Sequence, residues 1–271
     1  MYEFTYRKSE SMVEAAAMFK ASEDARYLAG GMTLLPTMKQ RLAAPEILID
    51  LNGIDALRGI EKHNDVIVVG ALTTHAQVAA SALVQRNIPA LAYLASVIGD
   101  PQVRNRGTLG GSVANSDPAA DYPAALLGLD AVIQTNKRSI AASDFFIDMF
   151  ETALEDDELI ASVNFPVPEH AAYCKFPNPA SGYATVGVFV ACNQPGSQQP
   201  HIRVAVTGAS GCVYREESME AALADSFSAE SLKDIKIDAS EFNEDIHASA
   251  GYRAQLVGVM ATRAVQKIVA T

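Results

Sequence analysis

Two glycine pairs carry the strongest chemical signal in the sequence. Leu28-Ala29-Gly30-Gly31-Met32-Thr33-Leu34 follows a short strand-like run and precedes a helix-like one. A bend placed there turns successive main-chain N–H groups outward, and such a nest holds a diphosphate without a lysine. Glycine suits the bend because it accepts positive φ and lets a phosphate oxygen approach the main chain. Thr108-Leu109-Gly110-Gly111-Ser112 offers the same amides and adds two hydroxyls. The two pairs read either as two walls around one dinucleotide or as two unrelated packing turns. Neither is a GxGxxG and neither is followed by a Walker lysine, which sets the Rossmann and P-loop readings aside. A side chain at Gly110 is expected to block the ligand space.

Other reactive side chains form weaker constellations. Asp117 precedes Pro118 and reads as the start of a turn, and Asp121 as an N-cap for a helix from Tyr122. His63, His75, His170, His201 and His247 are scattered without a metal-binding spacing, so surface or structural roles are expected. Tyr183 reads either as a ring against a planar ligand or as a core tyrosine. Arg104 and Arg106 flank the second glycine pair and read as solvated. Glu155-Asp156-Asp157-Glu158 reads as a solvated acidic turn, because like charges repel. Gly208-Ala209-Ser210-Gly211 lacks the spacing of a nucleophile elbow. Cys174, Cys192 and Cys212 are odd in number and far apart, which argues against a disulfide framework and against a cluster held by this chain alone. No metal site and no catalytic acid, base or nucleophile is expected.

The elements that must position these residues read as a mixture of strands and helices. Ser11-Met-Val-Glu14 is a capping-box pattern opening a helix to about Lys20. Strands are expected at 3–6, 26–29, 47–50, 66–69, 131–135 and 159–165, and helices at 33–41, 74–82, 89–98 and 122–129. Residues 106–112 read as a glycine-rich loop. Pro166 and Pro168 mark a boundary. Beyond it, strands at 186–192 and 202–207 are joined by a turn at 193–197. Tyr252, Leu256, Met260, Ala264 and Ile268 recur every four residues, which predicts a terminal helix with one buried face. The order gives an α+β class without regular βαβ alternation.

The composition is that of a soluble globular chain. Its 271 residues, 49% of them hydrophobic and 20% charged, leave no place for a disordered or fibrous reading and favour about two domains. A net charge of −11 with no basic block excludes nucleic acid as the main partner. No signal-like core or apolar run of transmembrane length is present, and a cytoplasmic location is expected.

Three segments, 29–41, 103–131 and 245–264, together resemble the FAD-binding medium subunit of molybdenum hydroxylases, the carbon monoxide dehydrogenase / xanthine dehydrogenase family. The resemblance covers nearly the whole chain, and the segment VRNRGTLGGSVANSDPAADYPAALLGLDA is its most specific part. It implies an FAD-binding fold of the vanillyl-alcohol-oxidase (PCMH) type over residues 1–168, in subdomains of roughly 1–54 and 55–168. A small α+β C-terminal domain over 169–271 follows. Leu28 to Leu34, with Ala29, Gly30, Gly31, Met32 and Thr33, match the first pyrophosphate loop, although Met32 replaces a residue that is often polar. Thr108, Leu109, Gly110, Gly111 and Ser112 match the second. Asp121 matches an acidic residue on the flavin's polyol chain, Ile98 a hydrophobic position near the cofactor, Ile160 the stretch beside the isoalloxazine and Lys175 a basic position near the flavin. The implied function is electron transfer through noncovalent FAD. Molybdopterin is expected in a large partner subunit and [2Fe–2S] clusters in a small one, in a dimer of heterotrimers. An independent flavoenzyme of the same fold and a scaffold that has lost flavin are the alternatives.

Overall fold

The computed structural model describes residues 1–193 and 201–270. Its first layer is a parallel sheet of β1 (Thr5–Lys8), β2 (Ala25–Leu28) and β3 (Ile47–Asp50), in the order β1-β3-β2. Parallel neighbours need crossovers, and the helices Met12–Lys20 and Leu34–Lys39 supply them. Ser11 caps the first, its hydroxyl accepting from Glu14 N. The reciprocal half of the expected box is shifted by one residue, because Glu14 accepts from Glu10 N rather than from Ser11 N. Ala15, Ile49, Ile54 and Leu57 form the small core beneath this layer.

The second layer is an antiparallel sheet, built from β4 (Ile60–His63), β5 (Val66–Gly70), β6 (Val132–Thr135), β7 (Ser139–Ala141) and β10 (Ile160–Pro166) in the order β4-β5-β10-β6-β7. A hairpin of β8 (Phe146–Asp148) and β9 (Glu151–Thr152) lies between β7 and β10 in sequence. Short helices cover one face of the sheet. The helix expected over 74–82 divides in two, His75–Ala80 and Ala82–Asn87. Ser81 adopts extended backbone and turns its hydroxyl to Val84 N, so it ends one helix by capping the next. The glycine-rich stretch at 106–112 is not a loop. The helix Pro101–Arg106 runs into it, and the helix Leu109–Asn115 starts inside it with Thr108 as N-cap.

The third layer is the sheet β11-β12-β13-β14, made of β11 (His170–Pro177), β12 (Ala184–Asn193), β13 (His201–Thr207) and β14 (Tyr214–Arg215). Residues 194–197 of the expected turn lie outside the described residues. The sequence reading missed β11, whose side chains alternate between two apolar surroundings. Tyr173 joins the core of the antiparallel sheet, while Ala172 and Cys174 face the helix Ala250–Val269. β12 is buried almost throughout because both its faces are covered, as in the centre of an α/β sheet. The terminal helix buries Leu256, Met260, Ala264 and Ile268 as predicted. Tyr252 instead lies at the helix edge, 41% exposed. Arg253 takes the inward position, donating to Thr185 O and Gly208 O and pairing with Asp245.

Candidate functional site

The layers leave a cleft of about 490 Å³ at the carboxyl end of the parallel sheet, where β2 ends and the first glycine bend begins. Ligands collect at such carboxyl edges because the strands stop and the connections open outward there. Asn52 fixes the bend, its Nδ2 donating to Ala29 O at 2.9 Å and to Asp50 Oδ1 at 2.6 Å. Gly31 sits at φ +71°, a left-handed conformation that side chains resist. The amides of Gly30, Gly31, Met32 and Thr33 donate to no acceptor among the described residues. The diphosphate nest expected from the sequence would use these same amides.

The second glycine pair behaves differently. Leu109 N donates to Thr73 O at 3.0 Å, Gly110 N to Ala71 O at 2.9 Å and Gly111 N to Thr108 Oγ1 at 3.2 Å. Its amides are engaged in seating and capping the helix Leu109–Asn115 at the end of β5, so this bend is not an open nest. A Cβ on Gly110 would lie 2.6 Å from that of Ala71, and both residues line the cleft. A side chain at Gly110 therefore meets the end of β5 at the cleft wall. Gly111 lines the cleft as well, together with Thr108 and Ser112. Gly30 touches Arg106 and Gly107, which brings the two bends into direct contact.

The remaining walls come from all three layers. Leu28, Leu34, Ile98, Ile160, Leu159 and Tyr183 line the cleft, and Met32 lies at its surface, 37% exposed. Of the residues singled out in the sequence, Leu109 is buried in the core and Lys175 stands behind the wall, so neither lines the cleft. Lys175 still bears on the site through Asp121, which does line it. Asp121 is not a helix cap, since its backbone is already helical and its carboxylate bonds no amide of the next turn. Its Oδ1 accepts from Tyr173 Oη at 2.6 Å and lies 2.9 Å from Lys175 Nζ, which also donates to Val97 O. Burial holds the Asp121 carboxyl above its usual range, against the opposing pull of Lys175 and Tyr173. Asp117 does start a turn, accepting from Ala119 N, and burial raises its carboxyl as well.

Three further features surround the cleft. His75 is buried and lines the cleft. Burial, assisted by the nearby Arg104 charge, pushes its pKa down to about 4, and its Nδ1 has no hydrogen-bond partner. Its signal was the capping box Thr74-x-x-Gln77, which fixes the helix start that orients it. Arg104 is half-buried and clamps the cleft wall, donating to Ile98 O and Gly99 O. The acidic run is a turn with Glu155 and Asp156 exposed, but its other two carboxylates are paired. Asp157 pairs with Lys20 and Lys137, and Glu158 with Arg138 and Thr135. Burial would raise the Glu158 carboxyl, but these partners outweigh it and bring the pKa down to about 2.

The fold and this cleft have counterparts. Residues 2–168 match the family model described as FAD binding domain in molybdopterin dehydrogenase, and 171–268 match that of the CO dehydrogenase flavoprotein C-terminal domain. The chain is 36% identical to the carbon monoxide dehydrogenase medium chain of Hydrogenophaga pseudoflava, over 97% of this chain and 96% of that one. It is 34% identical to the nicotine 6-hydroxylase medium subunit of Paenarthrobacter nicotinovorans, with 96% and 95% covered. The reconstituted CO dehydrogenase of Oligotropha carboxidovorans contains a chain that superposes with a TM-score of 0.90 at 32% identity, covering 99% of this chain and 98% of that one. The chain therefore belongs to the FAD-binding flavoprotein family of the molybdopterin dehydrogenases, as an oxidoreductase subunit of the carbon monoxide dehydrogenase type.

Proposed function

We propose that this chain holds one FAD noncovalently in the cleft and passes electrons from [2Fe–2S] clusters of a partner subunit to an external acceptor. The observation that carries the reading is the open row of amides from Gly30 to Thr33, facing a cleft whose opposite wall is the bare Gly111. A diphosphate needs donors on one side and close approach on the other, and this pair of bends provides both. Flavin supplies the redox chemistry, exchanging electrons singly or in pairs. The protein binds and orients it. Gly30 to Thr33 hold the diphosphate, with Thr108 and Ser112 hydroxyls beside it. Asp121 accepts from the polyol chain, held in place by Lys175 and Tyr173. Leu28, Leu34, Ile98 and Ile160 give the ring apolar walls and keep water from it.

The same reading divides the chain at 168/169, assigns molybdopterin to a large partner and the clusters to a small one in a dimer of heterotrimers, and places the complex in the cytoplasm. It is supported by the medium-chain relatives and by the absence, among the described residues, of any helix long and apolar enough to cross a membrane. Titrating the purified chain with FAD, followed by quenching of flavin fluorescence, tests the core of it. One equivalent should bind, and Gly111→Val should weaken binding at least tenfold with an unchanged circular dichroism spectrum. A folded Gly111→Val protein with wild-type affinity rules the second bend out of the site. Substrate turnover by this chain alone points instead to an independent flavoenzyme.

A further inference from the structure

A second cavity, also about 490 Å³, opens between the helix Pro89–Ser96, the edge strand β11 and the last turns of the helix Ala250–Val269. Its polar lining is cationic: Lys175, Arg263 and Lys267, with Gln266 and the Tyr93 ring. No carboxylate lines it, in a chain whose net charge is −11. Arg263 and Lys267 stand one helical turn apart, a like-charge spacing that costs a few tenths of a kcal/mol when left uncompensated. Among the described residues neither has an ion-pair partner. Lys267 is held in position, its Nζ 4.8 Å from the Tyr93 ring centroid and 3.4 Å from Tyr173 O. Lys175, with 5% of its side chain exposed, forms the floor. Its ammonium carries three donors, of which Val97 O and the Asp121 carboxylate account for two.

We propose that this cavity is a binding site for a small multivalent anion of the phosphate class. Three cations converge on one concavity; Asp121 compensates Lys175 alone, and no carboxylate among the described residues lines the cavity beside Arg263 and Lys267. A small anion fits better than an acidic protein segment because the deepest cation is almost wholly enclosed, and only a compact group reaches it. The site is separate from the first cleft, yet the wall between them is a single ion pair. Asp121 faces one cavity and Lys175 the other. The proposal stands on its own charges and does not depend on the cofactor reading.

The test is calorimetric titration of the full chain with inorganic pyrophosphate at low salt. Binding should weaken at least tenfold in Arg263→Gln/Lys267→Gln, and should persist in Lys62→Gln/Lys233→Gln, which removes the same charge elsewhere. Because both cations are exposed, the variants are expected to fold, and circular dichroism checks this. No binding to the wild-type chain overturns the proposal, as does equal affinity in all three proteins, which would move the anion to the first glycine bend. Binding of a hexaglutamate peptide through Arg263 and Lys267 with no binding of pyrophosphate also overturns it, and assigns the surface to an acidic protein segment.

Discussion

Gly30 rests against the main chain of Arg106: a Cβ built on Gly30 would lie 2.0 Å from the Arg106 carbonyl oxygen. Two bends far apart in sequence therefore touch, and the contact requires a residue without a side chain. Gly30→Ala should force them apart, at a cost of about 1–3 kcal/mol typical of overpacking. FAD affinity should fall at least tenfold. Urea denaturation and flavin fluorescence measure the two effects, and wild-type values in both would show that the bends do not need each other.

The Asp121–Lys175 pair gives a prediction of opposite design. Lys175→Met leaves a buried carboxylate without its cation, which costs about 3–5 kcal/mol. Adding Asp121→Asn removes the charge, so the double variant should recover much of that loss. Thermal melts of the wild type, the two single variants and the double variant give the coupling directly. Simple additivity would mean that the pair does not act as a unit.

His75 predicts a pH dependence. The unfolded imidazole takes up a proton near pH 6.5, whereas the folded one resists until about pH 4. Between those values the unfolded state binds more protons, so stability falls as pH drops from 6.5 towards 4, by up to about 3 kcal/mol. Below pH 4 this residue contributes no further change. His75→Gln should flatten that part of the profile in urea melts taken across the range. An unchanged slope would assign the acid sensitivity to other groups.

Asn52 ties the first bend to the parallel sheet through Ala29 O. Asn52→Ala removes that bond, worth about 1 kcal/mol. The bend should loosen, and bound FAD should dissociate several-fold faster in stopped-flow measurements. An unchanged dissociation rate would show that Asp50 and the strand ends hold the bend alone.

Much of this molecule is legible in local chemistry. The first glycine bend needs only its own residues and a strand before it, and the structure has it as read. The capped first helix and the terminal amphipathic helix are legible for the same reason, since caps and a 3.6-residue period are properties of neighbours in sequence. Local reasoning gave way where the partner is remote. Glu158 looked solvated until Arg138 closed over it, and Asp121 looked like a cap until Tyr173 and Lys175 arrived from β11.

The sequence by itself determined the α+β class, the first diphosphate-type bend and, through the resemblance, the family. Only the tertiary structure decided how the second bend is used. Its amides looked equivalent to those of the first, but Thr73 and Ala71 carbonyls at the end of β5 take them up, and the amides of Gly30 to Thr33 stay open. The tertiary structure also decided that Lys175 bears on the cleft from behind its wall. The physical reason is that a hydrogen-bonding group is defined by what satisfies it, and for buried groups that partner is set by packing between layers rather than by spacing along the chain.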